Sequence, residues 1–234
     1  MNVLIDESSF LANLTIINER IASICASCGR SPSEVTVLPI TKTFPLGAAE
    51  YAFRSGSLAV GENRVQEAFE KMEGAPPDLQ WELVGHLQSN KAKLATGRFT
   101  RIQSVDSVKL LSRINLAMEN QEGSQRILLQ VNTGQDPAKF GASPEESEIL
   151  LETALSSTAL QVEGLMTIAP LSNDPEVARR AFARLRELGA RLAERLGTNL
   201  PELSMGMSGD LEAAVMEGST LVRVGSGLFG ERIS

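Results

Sequence analysis

Eight short apolar runs recur along this chain, the first seven each followed by a stretch with helical periodicity, and this alternation restricts the fold more than any other feature. The runs fall at 35–43, 57–60, 80–84, 101–104, 126–131, 160–165, 202–205 and 220–224. They read as short apolar runs rather than alternating ones, which favours parallel strands covered on both faces. Helical stretches at 46–54, 64–72, 90–95, 107–120, 144–156 and 174–197, with one more from Ser208, fill the spaces between them. Parallel neighbours need such crossovers. Ahead of the first run, Leu11, Leu14, Ile17, Ile21 and Ile24 recur at helical spacing and predict an additional helix over 7–27. The expected fold is α/β: a (β/α)8 TIM barrel with an extra N-terminal helix, one domain over 1–234. An open doubly wound sheet is the competing arrangement. The strand count and the lack of a leftover region favour closure. At 234 residues and 42% hydrophobic content, the chain can bury a core of that size.

A barrel of this kind carries its chemistry at the carboxyl ends of the strands. Lys42, Asn63, His86, Asn132, Met166, Ser208 and Arg223 all fall there. Lys42 follows a buried run, where an ammonium must find water, a partner or a covalent adduct. Partial desolvation favours its neutral form, which condenses with an aldehyde such as that of pyridoxal phosphate. From this stretch alone, a surface lysine capping a strand is the plainer reading. Arg223 lies on the last buried run, so it serves either a barrel salt bridge or a ring nitrogen, to which it would donate without surrendering its proton.

The tail segment GSGLFG places Gly225, Gly227 and Gly230 in the spacing of a dinucleotide loop. That fold also needs a helix, a second strand and an acidic residue about 20 positions on, and only 231–234 follow. A dinucleotide site is therefore not expected. The same glycines let backbone N–H groups approach an anion, with the Ser208 hydroxyl beside them. The plainer alternative is a helix cap at Ser208 and a tight bend at the glycines.

The net charge of −7, without a block of one sign, speaks against a nucleic-acid partner. No run reaches the roughly 18 apolar residues of a membrane helix and the start, MNVLIDESSF, is unlike a signal peptide, so a cytoplasmic protein is expected. Cys25 and Cys28 form a C-x-x-C pair at the end of a helical stretch rather than at its start, and the one histidine, His86, is distant. Packing or simple exposure is expected of the pair, with neither redox nor metal chemistry.

The runs ITKT (40–43), GENRVQE (61–67), GHLQSNK (85–91), GLMTIAP (164–170), SMGMSGDLEAAV (204–215) and GSTLVRVGSGLFGER (218–232) closely resemble the pyridoxal phosphate homeostasis protein family. That family shares the barrel of alanine racemase amino-terminal domains. The resemblance implies Lys42 as the imine-forming lysine and Arg223 as the partner of the ring nitrogen. It implies phosphate contacts from Ser208, Gly225 and Ser226, and places Asn63, His86 and Met166 around the cofactor. One departure is Thr41, where the family commonly has serine. The implied function is reversible holding of pyridoxal 5'-phosphate for its intracellular homeostasis, with no catalytic residue, no metal, and apo forms of pyridoxal-phosphate enzymes as recipients. The alternative is an amino-acid racemase of alanine-racemase type, which needs acid–base groups on both faces of the imine. The one tyrosine, Tyr51, lies in the helix after Lys42, and the chain stops after the barrel. With no exposed apolar helix stripe obvious in the sequence, a monomer is expected.

Overall fold

The structure, a computed structural model, describes residues 2–119 and 121–231. The predicted helix end at Asn120 and the last motif residue, Arg232, lie outside them. The first helix, α1 (Glu7–Cys28), begins where the Asp6 carboxylate accepts from the Ser9 N–H at 2.7 Å, and ends at Gly29, whose φ of 72° a side chain would strain. Ile17 and Ile21 of the predicted stripe are buried and Leu14 and Ile24 pack against the core, but at the start of the helix Phe10 is buried while Leu11 is exposed. The reason is tertiary, because the Phe10 ring stacks on Phe229 from the far end of the chain, centroids 5.2 Å apart.

Eight strands follow: β1 (Thr36–Pro39), β2 (Ala59–Glu62), β3 (Gln80–Leu83), β4 (Arg101–Val105), β5 (Gln125–Gln130), β6 (Leu160–Met166), β7 (Glu202–Ser204) and β8 (Leu221–Val224). Between and after them come α2 (Leu46–Arg54), α3 (Val65–Met72), α4 (Ala92–Ala95), α5 (Val108–Met118), α6 (Ser147–Leu155), α7 (Pro175–Leu196), α8 (Leu211–Met216) and the short α9 (Ser226–Phe229). All strand pairs are parallel in the order β1-β8-β7-β6-β5-β4-β3-β2, and a parallel bridge from Ile40 to Gly61 closes the ring. The chain is thus a (β/α)8 TIM barrel with an extra N-terminal helix.

Helix α7 shows the signals read from the sequence, with the Asp174 side chain capping Glu176, Pro175 in the first turn and Gly197 in left-handed conformation at its end. Three boundaries differ in ways that matter. The first strand stops at Pro39, leaving 41–43 as a turn rather than strand. The second strand extends to Glu62, two residues past the predicted run, so that residue is fully buried rather than part of a connecting segment. Helix α8 starts at Leu211, so Ser208 sits in the preceding loop and caps nothing.

The main apolar layer lies between barrel and helices, where Phe44, Phe182, Ile102, Leu110, Ile127 and Leu129 are fully buried. The barrel interior is more polar. Arg101 donates from Nε and Nη2 to Glu82 at 2.8 and 3.0 Å, and from Nη1 to Glu202 at 2.7 Å and Glu163 at 3.1 Å. Gln103 donates to the same Glu82 carboxylate at 2.6 Å, Ser204 donates to Gln103 at 2.6 Å, and Arg223 donates to Ser204 at 2.6 Å. A hydrogen-bonded column therefore runs from the amino-terminal end of the strands to their carboxyl end.

The end of α8 is tied to α7 by charge: Arg179 Nε donates to Glu217 at 2.8 Å and Arg186 pairs with the other carboxylate oxygen. Burial pushes the Glu217 carboxyl up, but the two guanidinium groups outweigh it and hold its pKa below the ordinary value. A folded-state pKa below the unfolded one contributes stability at pH above the ordinary glutamate value, and this is lost as pH falls through the lowered one. Glu217→Gln is expected to flatten the acid limb of a stability-versus-pH profile while costing under about 1 kcal/mol at neutral pH, since both arginines are partly solvated. Urea unfolding between pH 3 and 7 measures it.

Candidate functional site

At the carboxyl ends of the strands an open cavity of about 1360 Å³ is lined by Lys42, Asn63, His86, Ser208, Arg223, Gly225 and Ser226. Residues from the start and the end of the chain therefore share one space. Met166 does not line it: its side chain is fully buried. Asn132 does not line it either, and instead ties its own loop, donating to the Asp136 carbonyl at 2.8 Å.

Lys42 is half-buried in the turn after β1. Ile40 still pairs with Val224, its N–H donating at 2.8 Å, and the Thr41 N–H donates to the Gly61 carbonyl at 3.0 Å. Thr43 then takes a left-handed φ of 69°. This reversal, immediately past the ladder, frames the lysine between two anchored neighbours.

Arg223 sits on β8 with Leu38 as its register partner. Its Nη1 donates to Ser204 at 2.6 Å and its Nη2 to the Thr167 carbonyl at 2.7 Å, so the guanidinium cannot swing. Burial lowers its pKa to about 10, opposed by the nearby Asp210. It is still protonated at neutral pH. Asp210, raised by burial, accepts from the Met207 N–H at 2.5 Å and thereby folds the loop that carries Ser208.

Opposite Lys42 in sequence, Ser208 meets the loop after β8. A Cβ on Gly227 would lie 2.8 Å from the Ser208 hydroxyl oxygen and 3.2 Å from Val224, so the lack of a side chain there lets the backbone after β8 and the serine share one spot. The first N–H groups of a helical turn have no carbonyl behind them within the helix. The Ser208 hydroxyl and the backbone at Gly225 and Ser226 thus form a cradle suited to an anion.

The rim is formed partly by His86, whose ring stacks on Phe140 with centroids 3.7 Å apart and whose Nδ1 lies 3.2 Å from Asp106. Neither partner was visible in the sequence, because both belong to other strand-helix units. Cys25 is buried and free, and burial pushes its thiol pKa up, which is opposite to a reactive thiolate. Among the described residues no cluster of three or more His, Cys, Asp or Glu is placed to hold a metal. Among them too, no helix is long and apolar enough to cross a membrane.

A parallel eight-stranded barrel whose first and last strand ends share one cavity defines a single-site α/β barrel, and the family model for the alanine racemase N-terminal domain matches residues 12–233. The chain is 39% identical to the pyridoxal phosphate homeostasis protein of Aquifex aeolicus over 220 residues, 94% of this chain and 96% of that one. It belongs to the pyridoxal phosphate homeostasis protein family. Among solved structures, an unknown protein from Bifidobacterium adolescentis superposes with a TM-score of 0.89 at 31% identity, covering 98% of both chains. PipY of Synechococcus elongatus, solved with PLP bound, superposes at 0.79 with 38% identity, covering 92% of this chain and all (100%) of that one.

Proposed function

We propose that this protein holds pyridoxal 5'-phosphate reversibly through Lys42 and serves the intracellular homeostasis of that cofactor, passing it to apo forms of pyridoxal-phosphate enzymes rather than turning over a substrate. The observation that carries the reading is the single cavity that joins an amine from the first strand to a hydroxyl-and-backbone cradle from the last two. The name of the Aquifex relative and the cofactor found in PipY support it. The donor set fits the group: an amine, a hydroxyl-and-backbone cluster made possible by a glycine, and a fixed cation lining the same cavity. When bound, the cofactor supplies an aldehyde that condenses with a neutral amine, releasing one water.

In this reading Ser208, Gly225 and Ser226 would receive the phosphate, Asn63 and His86 would line the ring, and Arg223 would donate to the ring nitrogen. Because a guanidinium keeps its proton, that nitrogen stays unprotonated and the ring is a poor electron sink. Strong carbanion chemistry is not expected from such a site. Tyr51, the chain's one tyrosine, packs by its ring on Phe10 and under Arg54, away from the cavity lining. In the purified protein, borohydride is expected to fix the cofactor's mass to the peptide carrying Lys42. Incubation with L- or D-alanine in deuterated water is expected to leave the α-hydrogen in place. Catalytic exchange of that hydrogen would instead establish a racemase-type enzyme.

Gly85 provides a second check on the site. A Cβ there would lie 2.2 Å from the Asn63 carbonyl oxygen and 2.7 Å from its Cα, so it meets backbone that cannot rotate aside. Gly85→Ala is expected to displace Asn63, costing roughly 1–3 kcal/mol of stability and weakening cofactor binding several-fold in an equilibrium titration. An unchanged affinity would remove Asn63 from the site.

A further inference from the structure

The seam at which the barrel closes is a thin ladder, reduced like that between β7 and β8 to one register pair. Strands β1 and β8 share four register pairs and β2 and β3 another four, whereas the first and second strands meet only through the Ile40–Gly61 bridge and the adjoining hydrogen bond from Thr41. Where that ladder ends, a buried ammonium takes over. Lys71 of α3 donates to the Thr41 carbonyl at 2.8 Å, to Glu62 Oε1 at 2.6 Å and to Glu67 Oε1 at 2.9 Å. An ammonium has three N–H groups, so these partners use all of them. Glu62 Oε1 also accepts from the Thr41 hydroxyl at 2.6 Å, and Glu67 Oε1 accepts from the Thr43 N–H. The residues on either side of Lys42 are thus each gripped by one member of a single i,i+4 pair.

We propose that Lys71 and Glu67, with Glu62, are positioning residues for Lys42: they clamp the 41–43 arch from behind and hold the amine where it can capture an aldehyde in the cavity. This rests on the reading of Lys42 as the capturing amine. Three physical arguments support it. A non-glycine residue in left-handed conformation costs roughly 1–3 kcal/mol and persists only where its surroundings over-determine it; Thr43, at φ 69°, is held there by Glu67. A buried ion pair is a poor source of stability, because an apolar pair of similar volume often serves as well or better. Yet the Glu62 and Lys71 side chains are 0% and 7% exposed, and Glu62 Oε2 is buried with no hydrogen-bond partner. The arrangement is therefore costly for stability and well made for geometry. Finally, none of the three side chains lines the cavity, so their influence must pass through the backbone of the arch.

The test uses two ligands: pyridoxal 5'-phosphate, and pyridoxine 5'-phosphate, which has the same ring and phosphate but an alcohol in place of the aldehyde. The variants are Glu67→Ala, at a side chain 23% exposed, and the double change Glu62→Gln with Lys71→Met, which leaves no lone buried charge. Melting temperatures confirm folding. Both variants are expected to bind pyridoxine 5'-phosphate within about twofold of wild type while the rate of borohydride-trappable capture by Lys42 falls at least about tenfold. Undiminished capture in the folded variants would overturn the proposal. So would an equal loss of pyridoxine 5'-phosphate binding, which would mean that the cluster shapes the whole pocket. A wild-type protein that captures nothing would instead sink the reading of Lys42 itself.

Discussion

Lys42→Ala is expected to abolish covalent capture of pyridoxal phosphate completely while leaving the barrel folded. The side chain is half-buried at a turn, and the hydrogen bonds that hold its neighbours come from backbone groups, from Glu62 of β2 and from α3, none of which the substitution removes. Ser208, Gly225, Ser226 and Arg223 lie on other elements and remain. The variant should therefore keep weak binding of the intact cofactor, reduced at least about tenfold, or 1.4 kcal/mol, and should bind pyridoxine 5'-phosphate as wild type does. Visible absorption and borohydride-fixed peptide mass measure the first effect, and equilibrium titration the second. Delivery to an apo-enzyme, compared between wild type and variant, shows whether covalent storage protects the cofactor during transfer. A borohydride-stable adduct persisting on another lysine of the variant would move the capturing amine elsewhere.

Arg101→Ala is expected to have the largest effect on stability. The arginine is 4% exposed and bonds to three carboxylates, of which Glu82 is itself buried. Burial works against its charge, but Glu82 and Glu202 outweigh that and keep the guanidinium pKa above its ordinary value. Removing it leaves several negative groups facing each other at the amino-terminal end of the barrel. Breaking a buried charge network from one side costs roughly 3–5 kcal/mol, or roughly 6–20 °C in melting temperature for a chain of this size. Thermal and urea unfolding read the loss directly. Because the column from Glu82 through Gln103 and Ser204 ends on Arg223, the folded fraction should also show an altered absorption of bound cofactor. A melting temperature within a degree or two of wild type would show that the carboxylates find other partners.

How much of this was legible beforehand varied with the range of the interaction concerned. The α7 boundaries came directly from Asp174, Pro175 and Gly197, because capping acts within one turn of the chain. The start of α8 did not, since Ser208 looks like a cap in isolation and is drawn into the loop by Asp210 and by contact with Gly227. Most of the proposed site was visible as residues at strand ends, and the cavity brings Lys42, Asn63, His86, Ser208, Arg223, Gly225 and Ser226 together. Met166 shared that sequence position but is enclosed by packing instead. The clamp behind Lys42 was hidden for a related reason: Glu67 and Lys71 at i,i+4 spacing look like an ordinary solvated pair on a charged helix. Only burial against the seam, with Lys71 side-chain exposure down to 7%, gives them another meaning.

From the amino-acid order alone came the eightfold alternation, the parallel barrel it implies and the placing of reactive residues at one end of the strands, because strand and helix periodicity are local properties that a linear pattern records. The tertiary structure alone decided that the first and last strand ends face one cavity, which oxygens hold Arg223 rigid, and which charges are sealed beneath the lysine. Those outcomes depend on how strands far apart in the chain close into a ring, and on the water that closure excludes.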